Sequence, residues 1–375
     1  MTELQPEPTE VGRLCPDVAR LAALERPPGG QEPERGEEVV GRDGEWPEVD
    51  VRERPVDDRG GHGRKPRRGA VAAVVVLAAL VVAGCGGDAS SPPEVAAMDA
   101  KWIDLGGAPW GIAVDGENVW VSDASRATLV ALDSVTGDVR REVGTGAPDP
   151  RDAGIAIVDG RLWVANLGGS VGVLDAANGT PLGRVDVGPG EPAAVAVGDR
   201  WAWAPRHGPG GGLTRIDADL DGASPVALPD SGFALDVADG TVWVSGLDQG
   251  LFAVEVGTGE VRLDIELAGA PRGVAVAAGD VWVTLRDRQQ VVRVDGDTGE
   301  VVARLDVDGQ PWPVAAGAGS VWVVTLEGQL MRIDPATTLI TATAAVAAQA
   351  RSVAVADDAV WVASQTGVVT RVTID

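Results

Sequence analysis

A tryptophan flanked by apolar residues occurs first as Val119-Trp120-Val121 and returns at Trp163, Trp203, Trp243, Trp282, Trp322 and Trp361. The successive spacings are 43, 40, 40, 39, 40 and 39 residues. A fixed period near 40 is the mark of a stacked-repeat architecture, and seven copies mean seven structural units. No other feature of the chain constrains its fold so narrowly.

Each unit carries four short apolar runs separated by turn residues. In the first copy these are Gly111 to Val114, Val119 to Val121, Leu129 to Leu132 and Val139 to Val143. Runs of this length, rich in β-branched residues and alternating with period two, predict strands. Between the third and fourth runs stand Thr136-Gly137, Asn178-Gly179, Asp221-Gly222, Thr258-Gly259 and Thr298-Gly299, where glycine is expected to supply the positive φ of a tight hairpin. Four antiparallel strands per unit, seven times over and with no helical stretch, predict an all-β, seven-bladed β-propeller. After Trp361 the chain has a third run, Val369 to Val372, and no fourth, while residues 101–105 stand alone in the fourth-strand phase ahead of the first unit. The last blade is therefore expected to be closed by this N-terminal strand, which removes the exposed sheet edges that invite aggregation.

The formal net charge is -25, and residues 1–68 hold 16 acidic and 12 basic side chains, leaving 40 acidic against 19 basic in the rest. Such a surface repels phosphate backbones and argues against nucleic-acid binding. Both cysteines, Cys15 and Cys85, precede the repeats, so no disulfide framework holds them. No cofactor or metal is expected, and the expected oligomeric state is a monomer.

Residues 1–68, rich in Pro, Glu, Arg and Gly, read either as a disordered cytoplasmic tail or as a leader upstream of the true translation start. Arg64, Lys65, Arg67 and Arg68 then precede an apolar run from Ala70 to Ala83, so residues 69–85 read as an export signal or a membrane anchor. Val82-Ala83-Gly84-Cys85 resembles the lipobox of bacterial lipoproteins, which implies lipidation of Cys85. The alternative is an uncleaved anchor, although the run is short of the roughly 20 apolar residues that span a bilayer. Either way the repeats are expected on the outer face of the cell membrane, because the basic cluster stays inside. Residues 86–99 read as a flexible linker, and 100–375 as the propeller.

The repeat, with its xPxGxAV start, VWV or LWV second strand, L-x-x-I-D third strand and TG turn, resembles those of YVTN/NHL-type propellers and of the streptogramin (virginiamycin) B lyase group. The resemblance spans all seven units and is specific for fold, weak for function. Lyases of that group use histidine and glutamate with a magnesium ion. Here His207 is the single histidine within the repeats, so it is the one candidate catalytic residue and would lack a partner histidine.

The seven tryptophans share one phase and read as blade packing, each worth on the order of 3–5 kcal/mol if truncated to alanine. The acidic residues closing the third strands (Asp133, Asp175, Asp217, Glu255, Asp295 and Asp334) read as turn formers. Departures from the repeat say more. The residue just before the first run is, in order, Trp110, Ala153, Ala193, Phe233, Arg272, Trp312 and Arg351, a set expected to ring the channel mouth. Aromatics with arginines there predict a docking site for an anionic or aromatic group of a protein, peptide or small molecule. Two longer loops share that face: 147–153, with Arg151 and Asp152, and 205–212, with Arg206 and His207. Arg286-Asp287-Arg288 is another candidate contact, although a solvated ion-pair cluster is the preferred reading. The preferred expectation is a membrane-tethered, non-catalytic binding module; the alternative is a lyase or hydrolytic enzyme working through His207.

Overall fold

The computed structural model describes residues 95–374 apart from 148, 150 and 199. The leader, the signal segment with Cys85 and the linker up to residue 94 lie outside the described residues. Within them, seven antiparallel sheets follow one another along the chain. Blade one is typical, with strands Pro109–Asp115, Asn118–Asp123, Thr128–Asp133 and Val139–Gly144 running from the channel outward. The seven-bladed all-β architecture read from the tryptophan spacing is the one observed.

Closure also follows the expectation, one residue earlier than the run suggested. Ala100–Asp104 pairs antiparallel with Val368–Thr373, register Ala100 to Val372, and so completes blade seven as its outer strand. The end of the expected linker is not loose. Ala96–Ala97 runs parallel to the outer strand of blade six (Leu339–Ala345), and the Met98 N–H donates to the Thr343 carbonyl at 2.9 Å.

The tryptophans explain why the blades hold together. Each lies mid-strand and packs across into the next sheet: Trp120 against Leu162 and Val164, Trp282 against Val321 and Val323, Trp361 back onto Val119 and Val121 of blade one. The ring is thus seven interblade clusters, the last joining the two ends of the repeat region, and all seven indoles are at most 3% exposed. The indole N–H groups of Trp120, Trp203, Trp282 and Trp361 are buried with no hydrogen-bond partner. For Trp282 and Trp361, an arginine on the neighbouring strand, Arg293 or Arg371, lies over the ring at 5.7 or 5.8 Å. These rings therefore contribute through apolar area and cation–π contact, with no hydrogen bond.

The third-strand carboxylates form turns. Asp133 accepts the N–H groups of Val135 and Thr136, and Asp295 those of Asp297 and Thr298. With Arg140 added, these hydrogen bonds hold the Asp133 carboxyl down at about 2. Gly137, Gly179, Gly259 and Gly299 take φ near +76, as a tight hairpin demands. Blade three departs from that expectation: Leu220, at φ 67, is the left-handed residue of its turn, and Gly222 is not. Its innermost strand is also split, into Glu191–Pro192 and Ala196–Val197. Pro192 has no N–H to give a ladder, which suits the break.

Candidate functional site

The residue preceding each first-strand run is the second residue of the innermost strand in six blades, while Ala193 stands in the break of blade three, and a repeated hydroxyl fixes three of these positions. Ser122, on the second strand of blade one, accepts the Gly111 N–H (2.8 Å) and donates to the Ala153 carbonyl of blade two (2.5 Å). In the same way Ser245 accepts the Ala234 N–H and donates to the Arg272 carbonyl, both at 3.0 Å. Thr284 accepts the Gly273 N–H (2.8 Å) and donates to the Trp312 carbonyl (2.7 Å). Each hydroxyl ties the mouth position of one blade to the blade before it. Neighbouring strands approach closely enough that a Cβ on Gly111 would stand 2.4 Å from the Ala153 oxygen, so glycine is required there.

On this frame the mouth is lopsided. Blades two and three present Ala153 and Ala193, and Trp110 lies across both and Leu167. The other side is crowded and cationic. Phe233 meets Trp312 edge-on, centroids 5.8 Å apart and planes at 73°. Arg272 lies over Phe233 (5.2 Å) and Trp312 (5.7 Å), while Arg351 lies over Trp312 (4.7 Å) and Trp110 (5.5 Å). All five expected mouth residues, Trp110, Phe233, Arg272, Trp312 and Arg351, line one cavity of about 150 Å³, together with Leu235, Val274, Val314 and Val353 from the next layer of the innermost strands.

One more member comes from the Arg-Asp-Arg turn, which the sequence offered as a secondary candidate contact. Arg286, read first as part of a solvated cluster, turns its guanidinium over Trp312 at 5.5 Å. The rest of that cluster is as expected, an exposed pair in which Arg288 stands 3.6 Å from Asp287. Trp312 therefore has three guanidiniums around it. Arg272 donates to the carbonyls of Pro271 (2.7 Å) and Leu247 (3.3 Å), and Arg351 to the side-chain oxygen of Gln365 (2.7 Å). Among the described residues no carboxylate forms an ion pair with any of the three. Burial pushes the Arg272 and Arg351 guanidiniums below the usual arginine range, and the charge of Arg286 adds to that shift in both. The Asp287 and Asp248 carboxylates oppose it at Arg272 from a distance. All three remain charged at neutral pH.

The two loops flank this cluster. His207 meets Phe233 edge-on at 5.9 Å and stands 3.2 Å from Glu191, while its Nδ1 is buried with no partner. Glu191 also pairs with Arg151 at 3.2 Å, and Arg151 pairs with Asp149 at 2.7 Å. Asp152 opens the innermost strand of blade two opposite Asn166. Arg206 differs from the rest: it is 4% exposed and donates to the carbonyls of Pro189 and Gly210. It ties together the two loops of blade three and offers nothing outward. Burial lowers its pKa as well.

The fold has solved counterparts. Virginiamycin B lyase from Staphylococcus aureus, as its selenomethionine form, superposes with a TM-score of 0.66 at 15% identity, covering 74% of this chain and all of the other. A computationally designed protein, Ika8, superposes with a TM-score of 0.58 at 13% identity, covering 76% of this chain and all of its own. No family model and no curated protein sequence matches the chain. At such identities the likeness is one of fold. Among the described residues no three His, Cys, Asp or Glu side chains gather into a group able to hold a metal ion, and none of their helices is long and apolar enough to cross a membrane.

Proposed function

We propose that this protein is a membrane-tethered, extracytoplasmic, non-catalytic binding module that takes the anionic group of its ligand at the channel mouth. The observation that carries this reading is the set of three guanidiniums around Trp312 with no carboxylate paired to them, in a chain whose net charge is -25. Burying like charges together costs stability unless an anion offsets it. The acidic balance of the chain repels anions in general, which favours the cationic mouth as a landing place. Tethering and export rest on the basic cluster and apolar run of residues 64–85.

Thermal unfolding of the full chain in sodium acetate, phosphate and sulfate, against chloride at equal ionic strength, tests the site. One or more of these anions should raise the midpoint, and the Arg272→Gln/Arg351→Gln double variant should lose that response. A double variant that responds as the wild type does would overturn the reading.

A second reading, a lyase or hydrolase, draws on the His207–Glu191 pair beside the mouth and on the virginiamycin B lyase fold. A histidine held by a carboxylate can act as a general base. Turnover of a cyclic depsipeptide ester that His207→Ala abolishes would favour it over simple binding.

A further inference from the structure

Resting on the reading of the mouth as an anion site, we infer that its ligand is a small carboxylate carried on a single aromatic ring. Three features together select this class. The first is the charge: Arg272 and Arg351 line the cavity, and their guanidiniums, with that of Arg286, lie within 5.7 Å of the Trp312 ring centroid. A guanidinium is a planar fork that fits a carboxylate in two parallel hydrogen bonds. The second is the wall. Leu235, Val274, Val314 and Val353 line the cavity and offer a strongly hydrated ion such as phosphate nothing in return for its lost water. The third is size and shape. A cavity of about 150 Å³ is roughly what one benzene-sized ring occupies. The Arg351 guanidinium lies within 5.5 Å of the Trp110 and Trp312 ring centroids, so a ring beside it has indoles to stack on or meet edgewise. A bare inorganic anion leaves part of the cavity empty.

The lopsided mouth supplies an entry. Ala153 and Ala193 keep blades two and three low, and Trp110 is the one bulky mouth side chain lying over them. Opposite stand the Phe233 and Trp312 rings with Arg272 and Arg351, and the Ser245 and Thr284 hydroxyls hold the backbone carbonyls of Arg272 and Trp312. Little reorganisation is then needed on binding, which favours affinity for a small ligand.

Isothermal titration of the full chain with benzoate, cyclohexanecarboxylate, benzamide and inorganic phosphate tests the inference. Benzoate should bind about tenfold more tightly than cyclohexanecarboxylate, as two aromatic contacts allow, and more tightly still than benzamide or phosphate. Trp312→Leu should cut the preference over cyclohexanecarboxylate to about threefold, since the Trp110 contact remains, while carboxylate binding persists. Arg351→Lys, which keeps the charge and loses the fork, should weaken both carboxylates alike and preserve their ratio, giving a check independent of how Trp312→Leu folds. Equal affinity for the two carboxylates in the wild type, or phosphate bound more tightly than benzoate, would overturn the inference. If those anions still require Arg272 and Arg351, the anion-site reading survives that result; if none requires them, both fall.

Discussion

Replacing Arg286 by glutamine should stabilise the protein at low salt, an uncommon outcome for removal of an ordered side chain. Its guanidinium has one described contact, the face of Trp312 at 5.5 Å, where Arg272 and Arg351 lie at 5.7 and 4.7 Å. Sharing that ring keeps Arg286 within about 11 Å of each of the other two. At an effective dielectric near 20, two like charges at that distance repel by about 1.5 kcal/mol. Two such pairs are relieved and one cation–π contact of about 0.5–1 kcal/mol is lost. The carboxylates of Asp248 and Asp287, which already offset part of the field at Arg272, hold the net gain to about 1 kcal/mol, or roughly 2–4 °C in the midpoint for a domain of this size. Screening shrinks the repulsion as the Debye length falls from about 30 Å at 0.01 M to about 3 Å at 1 M. Thermal unfolding of Arg286→Gln and wild type at those two ionic strengths is the assay. The gain should be present at 0.01 M and gone at 1 M. A loss of stability at both, or a gain indifferent to salt, would refute the account of the mouth as an uncompensated cationic cluster.

Other consequences follow from the same geometry. Trp361→Ala, at the cluster that joins blade seven to blade one, should cost about 3–5 kcal/mol in chemical denaturation, whereas Trp361→Phe should cost clearly less, because the indole N–H it removes is buried without a partner. Thr284→Val leaves the Gly273 N–H and the Trp312 carbonyl without their shared hydroxyl, so about 1–3 kcal/mol of stability should go, and anion affinity at the mouth should fall with it. Asp133, held down at about 2, adds stability that is full above its ordinary value of 3.8 and is lost as the pH drops through about 2; carboxyl NMR should find its midpoint there, and Arg140→Ala should raise it. Asp236 behaves oppositely, since burial raises its pKa: its charged form destabilises the fold, so that stability declines as pH rises above 3.8. Asp236→Asn, which keeps an acceptor for only one of the Val237 and Val276 N–H groups now taken by the two carboxylate oxygens, should flatten that part of the pH profile.

How far the sequence could be read depended on whether a residue's role repeats. The tryptophans recur because every blade must bury the same face against its neighbour; their phase set the blade count, and the apolar runs measured against it set strand order and closure. The mouth residues were legible as departures measured against that ruler. Arg286 was legible only as a secondary candidate, because Arg-Asp-Arg on a surface turn has the composition of a solvated pair; its role depends on the direction in which one side chain leaves a short 3-10 turn, Arg286–Arg288. Arg206 misled in the opposite sense. It stands in an irregular loop among variable residues, yet its guanidinium serves the carbonyls that the Gly-rich chain around it leaves without partners. Asp236 gave a signal that sequence alone could have caught: the residue paired with the core tryptophan on the innermost strand is alanine in the other six blades, from Ala113 to Ala354, and aspartate in blade four.

The most direct test of the binding account is to recover what the mouth holds. The full chain, purified at low salt from cells that make it, would be denatured and its released small molecules analysed by negative-ion mass spectrometry beside the Arg272→Gln/Arg351→Gln variant. The account predicts an organic anion released in near-equal molar amount from the wild type and missing from the variant. Recovery of the same anions in the same amounts from both proteins would contradict it.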